Sequence, residues 1–358
     1  MLRTRWHKVL RDLWSHKART ILVVAAITVG VFAVGLVASA KSILLRELDR
    51  GYQASQASSA RLYTDPFGDE LVERIRRIPE VSAAEGRRTL QVQVLLGADE
   101  TRELVLVAVP DFSDLRLDKV FPVGGDWPPR TGDILIEQFS LDHIQGSVGD
   151  SITLKLDNDT IKEIHVAGLV HDANVPSAGI SDRAFGYVTV DTLDELGQGD
   201  FYTELRYRVT DDHITDKNFI LATNDIVQEQ LEKSGRTVYA TDTPAPGEHW
   251  AQAIIETLVM LFVLFGFLIM ILSGFLVVNT ISALWAQQIK QIGVMKMVGA
   301  RRRQIVAMYF VTVFSYGLMA LVIGVPTSIF AARRIVPFAT DLLNVQVVEQ
   351  MLCPRRRS

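Results

Sequence analysis

The sequence predicts a membrane α-helical protein with three transmembrane helices and one large α+β extracytoplasmic domain of two lobes. Three observations carry that prediction. Three long runs are free of charge: Thr20 to Ala40, Leu258 to Leu284 and Ile305 to Ala332. Between the first and second lie about 200 residues patterned like a soluble domain. The charges are segregated, with basic residues beside the apolar runs and most of the acids between residues 47 and 248. A composition of 48% hydrophobic and 22% charged residues suits such a mixture. The net charge of −4 conceals the segregation.

Residues 1–19 form a basic N-terminus with Arg3, Arg5, Lys8, Arg11, Lys17 and Arg19 against Asp12. Beside an apolar run, basic residues place the segment in the cytoplasm by the positive-inside rule, which fits better than nucleic-acid binding. Residues 20–40 are the first span, 21 residues that reach roughly 30 Å as a helix. Ala38-Ser39-Ala40 also fits a signal-peptide cleavage site, but the run exceeds a signal h-region and a retained anchor is preferred. Ala26 with Gly30, and Gly35 with Ser39, are small pairs that let helices approach closely in lipid.

Residues 41–252 make up the extracytoplasmic domain. Lys41 to Arg50 continues the first helix. Leu71, Val72, Ile75 and Ile78 mark one helix face, ended by Pro79. Leu90, Val92, Val94 and Leu96 alternate with Gln91 and Gln93, a half-buried strand. Leu104 to Val109 is a buried strand. Gly124 to Gly132 reads as a loop, with Trp127-Pro128-Pro129 a rigid part of it. Ile152 to Leu156 and Ile164 to Val170 form a hairpin about Asp157-Asn158-Asp159. Tyr187 to Val190, Leu205 to Val209 and Arg236 to Ala240 are further strands. Asp216 to Lys233 is a helix with Phe219, Ile226, Val227 and Leu231 on its apolar face. The expected lobes are one of residues 55–115 with 211–242, and an inserted β-rich one of residues 116–210.

Residues 253–284 are the second span and 304–332 the third, with Ala320 and Gly324 as a small pair. The second exceeds the hydrocarbon core and must tilt or protrude. Residues 333–358 are a tail. Its Arg333, Arg334, Arg355, Arg356 and Arg357 fall outside, against the charge rule, so a truncated or frame-shifted form of a longer protein is expected.

Chemistry-bearing motifs are sparse. None of the 24 glycines precedes a lysine, so no P-loop is present. Cys353 is the single cysteine, which excludes an internal disulfide. His165, His171 and Asp172 lie close in sequence without the further ligands a metal needs. Asn158-Asp159-Thr160 is a chance-level glycosylation triplet. No catalytic, cofactor or metal residue is assigned, and the protein is expected not to be an enzyme.

The connection at residues 285–303 is more informative. As a helix starting near Trp285, it places Trp285, Ile289, Ile292, Met295 and Val298 on one face and Gln287, Lys290, Gln291 and Arg301 elsewhere. Gly299 is placed to stop it, and a new helix starts at Arg301. A surface-lying loop anchored to anionic lipid explains the charge. A rigid face offered to a soluble partner also explains the apolar side.

The string from Gln288 to Ile305 (QIKQIGVMKMVGARRRQI) resembles the coupling segment of the FtsX/MacB-like ABC transporter permeases. Their pattern is a basic residue, Glu-Ile-Gly, apolar residues, a basic residue, apolar-Gly-Ala and a basic pair before Gln-Ile. Here Gln291 stands where the family has its acid, and the family's fourth span is missing. The order of parts is similar too, and residues 148–170 resemble the β-rich lobe of the MacB-like periplasmic core domain. The resemblance implies a permease subunit that couples ATP hydrolysis on a separate ATPase subunit to movement of the outer domain. The work would serve export, lipid or lipoprotein handling, or transmembrane signalling. It implies that Gln288, Ile289, Lys290, Gln291, Ile292, Gly293, Met295, Lys296, Gly299, Ala300, Arg301 and Arg302 meet the ATPase. It implies a homodimer or a second permease half, a periplasmic adaptor or outer-leaflet lipoprotein as further partner, and a bacterial inner or plasma membrane location. The other reading is a membrane-anchored ligand-binding or sensor protein without an ATPase; a membrane hydrolase is disfavoured by the lack of a catalytic set.

Overall fold

The computed structural model describes residues 17–97, 100–157, 159–245, 251–297, 302–342 and 344. It divides into two units, one of residues 1–44 and 253–336 and one of residues 45–252 and 337–358.

The first unit is built of three long helices. Helix α1 (Lys17–Ser55) contains the candidate span Thr20–Arg46. The other two follow the soluble domain and hold Gln252–Ala283 and Phe310–Pro337. Each stretch is long enough to cross a bilayer core. Packing between helices uses the small residues. Val23 and Val24 of the first helix are buried with Tyr316 and Ala320 of the third. A Cβ added at Gly324 would lie 2.9 Å from Val31 Cγ1, and one at Gly35 would lie 2.5 Å from Ser328 Oγ. Close backbone approach is thus what these glycines provide. The Ser273 hydroxyl donates to the Ala26 carbonyl across the first and second helices.

The second unit begins with the last part of α1, which ends at Ser55. Its strands and helices follow in order: β1 (Ala60–Phe67), α2 (Asp69–Arg76), β2 (Val81–Leu95), β3 (Thr101–Val109), β4 (Phe121–Gly125) and β5 (Asp133–Glu137). Next come β6 (Ser151–Lys155), β7 (Ile161–His171), α3 (Ala178–Ser181), β8 (Ala184–Thr189), α4 (Val190–Glu195) and β9 (Tyr202–Val209). Helix α5 (Lys217–Lys233) and β10 (Val238–Asp242) close it. Among the described residues the strands run β10-β1-β9-β2-β3-β8-β5-β7-β4, with β6 pairing β2 and β7.

Besides a cluster of Val107, Val109, Phe112, Leu135, Val170 and Tyr187, two larger cores lie along this sheet among the described residues. One gathers Leu62, Phe67, Leu71, Ile75 and Ala84 with Leu205, Tyr207, Ile220, Val227 and Leu231. The other gathers Val92, Val94, Leu104, Leu106, Ile134, Ile136, Leu154, Val166 and Val188. Each buried Leu or Ile contributes about 1.5–3 kcal/mol. This partition differs from the lobes drawn on sequence. Strand β3 belongs to the second core and β9 to the first. The cause is the 15-residue β2, which pairs β9 through Val81–Arg87 and β3 through Arg88–Leu95.

The hairpin of β6 and β7 forms as read, with Ile152 opposite Ile164. Asp216 caps α5, accepting from the amides of Asn218 and Phe219 at 3.0 and 3.2 Å. Its buried face is Ile220, Val227 and Leu231, so Ile226 turns outward, against the expected stripe. Strand β4 occupies the start of the expected 124–132 loop.

A further difference concerns the basic connection. The second-span helix, α6 (Gln252–Met297), runs through Trp285 without interruption, so the helix expected to start near Trp285 is its continuation. Between Ala283 and Met297 only Gly293 disfavours helix, and neither proline nor a capping residue breaks the backbone hydrogen bonds. Helix α7 (Arg302–Leu342) follows.

Candidate functional site

Eight of the twelve residues expected to meet an ATPase lie in the last turns of α6. Gln288, Ile289, Lys290, Gln291, Ile292, Gly293, Met295 and Lys296 all lie in that helix. Ile289, Val294 and Met297 are exposed, Met297 by 82%. Arg302 opens α7, while Gly299, Ala300 and Arg301 lie outside the described residues. The three-helix unit carries a groove of about 560 Å³ lined by Gly30, Val34, Met270, Leu321 and Val325, with Ser273 the polar contributor. Its surface is apolar, and Ser273 is already engaged.

A buried ionic seam lies where α1 joins the sheet. Asp118 Oδ1 accepts from the Ser58 amide at 3.0 Å, and Oδ2 from Ser58 Oγ and Arg206 Nη1, both at 2.9 Å. Arg206 Nε donates to Glu204 Oε1 at 2.8 Å. Arg87, 1% exposed, donates from Nη2 to the Leu117 carbonyl at 2.5 Å and the Asp118 carbonyl at 3.2 Å. Glu85 Oε1 accepts from the amides of Arg116 and Leu117 at 2.5 and 3.1 Å. The main chain joins in, with Lys119 N donating to Ser55 O at 2.8 Å. Burial alone would raise the Asp118 carboxyl, but Arg206, Arg61 and Arg87 outweigh it and hold it well below the carboxylate range. Glu204 is lowered in the same way, against its own burial, chiefly by Arg206. The end of the first span's helix is therefore bonded to β2 and β9 together. The seam was not read from sequence, because Glu85, Asp118 and Arg206 are far apart along the chain.

A second polar cluster lies in the β-rich lobe. It brings together Glu137 at the end of β5, His171 at the end of β7, Asp172, and Tyr187 of β8, all buried. Tyr187 donates to Asp172 Oδ2 at 2.6 Å. Asp172 Oδ1 accepts from the Asn174 amide at 2.8 Å. Glu137 Oε2 accepts from the Phe139 amide at 2.8 Å, and Oε1 lies 3.9 Å from His171 Nδ1. Burial pushes the Glu137 acid up to about 8, helped by the Asp172 charge. Burial raises Asp172 and Tyr187 as well. His165 does not join the cluster. It is half-exposed and its Nδ1 lies 2.9 Å from Asp133 Oδ1. The cause is a register shift in the β5–β7 pairing, where Ile134 meets Val166 but Leu135 meets Gly168. That extra residue puts His165 and His171 on opposite sides. Among the described residues no group of three or more His, Cys, Asp or Glu is placed to hold a metal.

No curated protein matches the sequence. Among solved structures, the extracellular domain of the noncanonic ABC-type transporter YknZ from Gram-positive bacteria is 11% identical, covering 51% of this chain and 100% of its own, with a TM-score of 0.36. The periplasmic region of MacB from Actinobacillus actinomycetemcomitans is 10% identical over 57% and 93%, with a TM-score of 0.34. A domain of a putative permease protein from Porphyromonas gingivalis is 11% identical over 56% and 96%, with a TM-score of 0.35. Residues 263–350, which take in most of α6, the basic connection and α7, match the model of the FtsX-like permease C-terminal domain. The family that the sequence matches, through this domain, is that of the FtsX-like permeases.

Proposed function

We propose that this chain is the permease subunit of an ABC transporter of the FtsX/MacB type. It converts ATP hydrolysis on a separate ATPase subunit into movement of its 45–252 domain. The observation that carries the reading is the family match at residues 263–350, inside which lies the basic, acid-free run from Lys290 to Arg303. The end of α6 is the surface on which an ATPase would push, and α6 runs from that end through the second span without a break. A continuous helix passes on displacement, whereas a loop absorbs it. The domain would lie outside the cell membrane with the N-terminus inside, by the charge asymmetry of the flanks. The permease would act as a homodimer or beside a second half, and the work would go to an exported substrate, a lipid or lipoprotein, or a signalling partner.

Co-purification from the native membrane tests this. A P-loop ATPase should be recovered with the wild-type chain. Ile292→Asp and Gly293→Trp should lose it by tenfold or more, since each disturbs the end of α6 that would face it. Equal recovery with both variants would remove the assignment.

A further inference from the structure

Asn344 lies two positions beyond the end of α7, and its side chain is fully buried. Its Nδ2 donates to the carbonyls of Asp172 and Val175, each at 2.9 Å. Both acceptors are main-chain carbonyls, so the nitrogen and not the oxygen must face them. Aspartate at this position would turn two acceptors toward two acceptors, and leucine would take the side-chain donor from both carbonyls, leaving Asp172 O with only the weak bond from Val175 N. The backbone has φ +55, a conformation asparagine tolerates better than most residues. The turn it grips is itself fixed. Asp172 bonds Tyr187 of β8 and the Asn174 amide, and Val175 N donates weakly back to the Asp172 carbonyl at 3.4 Å.

We infer that Asn344 is a latch: it fastens the segment following α7 to the Asp172–Val175 turn and passes movement of that helix into the β-rich lobe. The transmitting role rests on the permease reading; the latch itself does not.

Hydrogen exchange of the full chain in lipid nanodiscs, corrected for intrinsic rates, tests the latch without any partner. Asn344→Leu and Asn344→Asp should each speed exchange at the amides of Asn174 and Val175 by tenfold or more. The amides of β1 and β9 should keep wild-type protection, which shows that the domain still folds. Unchanged exchange in both Asn344 variants would overturn the latch. With the co-purified ATPase, ATP should alter exchange at the turn in the wild type and not in Asn344→Leu. An ATP response that survives in Asn344→Leu would overturn the transmitting role. Failure to recover an ATPase would count against the permease reading and, with it, the transmitting role, while the first arm still decides the latch.

Discussion

Asp118→Ala is the perturbation that most directly probes how the first span's helix is fastened to the sheet. The substitution removes three hydrogen bonds, from the Ser58 amide, Ser58 Oγ and Arg206 Nη1. It leaves Arg206 buried with Glu204 alone, and Arg61, 3.7 Å away, with no acid at that end of the seam. Breaking a buried ion pair by deleting one partner costs about 3–5 kcal/mol, because the remaining charge is left desolvated. That corresponds to a drop in protection of about 150- to 4,000-fold for amides that exchange by global opening of the domain. The amides of β1 and β9 are the ones to follow, by hydrogen exchange on the full chain. The pH dependence follows from the lowered carboxyl. Its contribution is fully present above the unfolded value of 3.8 and is lost as pH falls toward the native one, so the deficit of the variant should shrink in acid. Asp118→Asn keeps the volume and one acceptor and should cost less than alanine. A loss in Asp118→Ala of less than about fivefold, roughly 1 kcal/mol, would refute the view that this seam fixes the helix to the lobes.

Other outcomes are expected on the same physical grounds. Glu137 sits far above its ordinary 4.5, so the native domain holds a proton that the unfolded chain releases; stability should therefore fall as pH rises from 4.5 to about 8, by about 5 kcal/mol at most, and level off beyond. Glu137→Gln should remove most of that slope in thermal melts, the buried Asp172 supplying what is left, and an undiminished slope would refute the assignment to Glu137. Gly324→Ile should drive α1 and α7 apart at Val31 and cost about 1–3 kcal/mol of stability in detergent, read as a lower melting temperature; an unchanged melt would place the two helices farther apart than described.

How much of this was legible in the sequence depended on whether the signal was local. The β6–β7 hairpin and α5 were readable because alternation, a turn and a capping Asp216 fall within a few residues. The first strand was not, because Thr64-Asp65-Pro66 looks like a turn; β1 accommodates it by shifting register against both neighbours between Tyr63 and Phe67. The first half of β2 was missed for a related reason. Glu85, Arg87 and Arg88 read as surface residues, yet all three are buried, and the first two meet partners about 30 positions away. The expected break at Trp285 came from treating the end of an apolar run as the end of a helix. Hydropathy ends where the bilayer ends, but the backbone hydrogen bonds continue until a residue interrupts them. Asn344 carried no signal at all, since one asparagine in a tail matters only through the two carbonyls that three-dimensional folding brings to it.

The 15 residues of β2 have a mechanical meaning. A hinge between two lobes needs a few residues whose dihedral angles can change freely, and loops usually supply them. Here both cores are bonded along one strand, and the pairing passes from β9 to β3 between Arg87 and Arg88 without a gap. Bending at that point would break ladder hydrogen bonds on both sides at once. The strand therefore works as a splint, and the two lobes should turn together as one stiff lever.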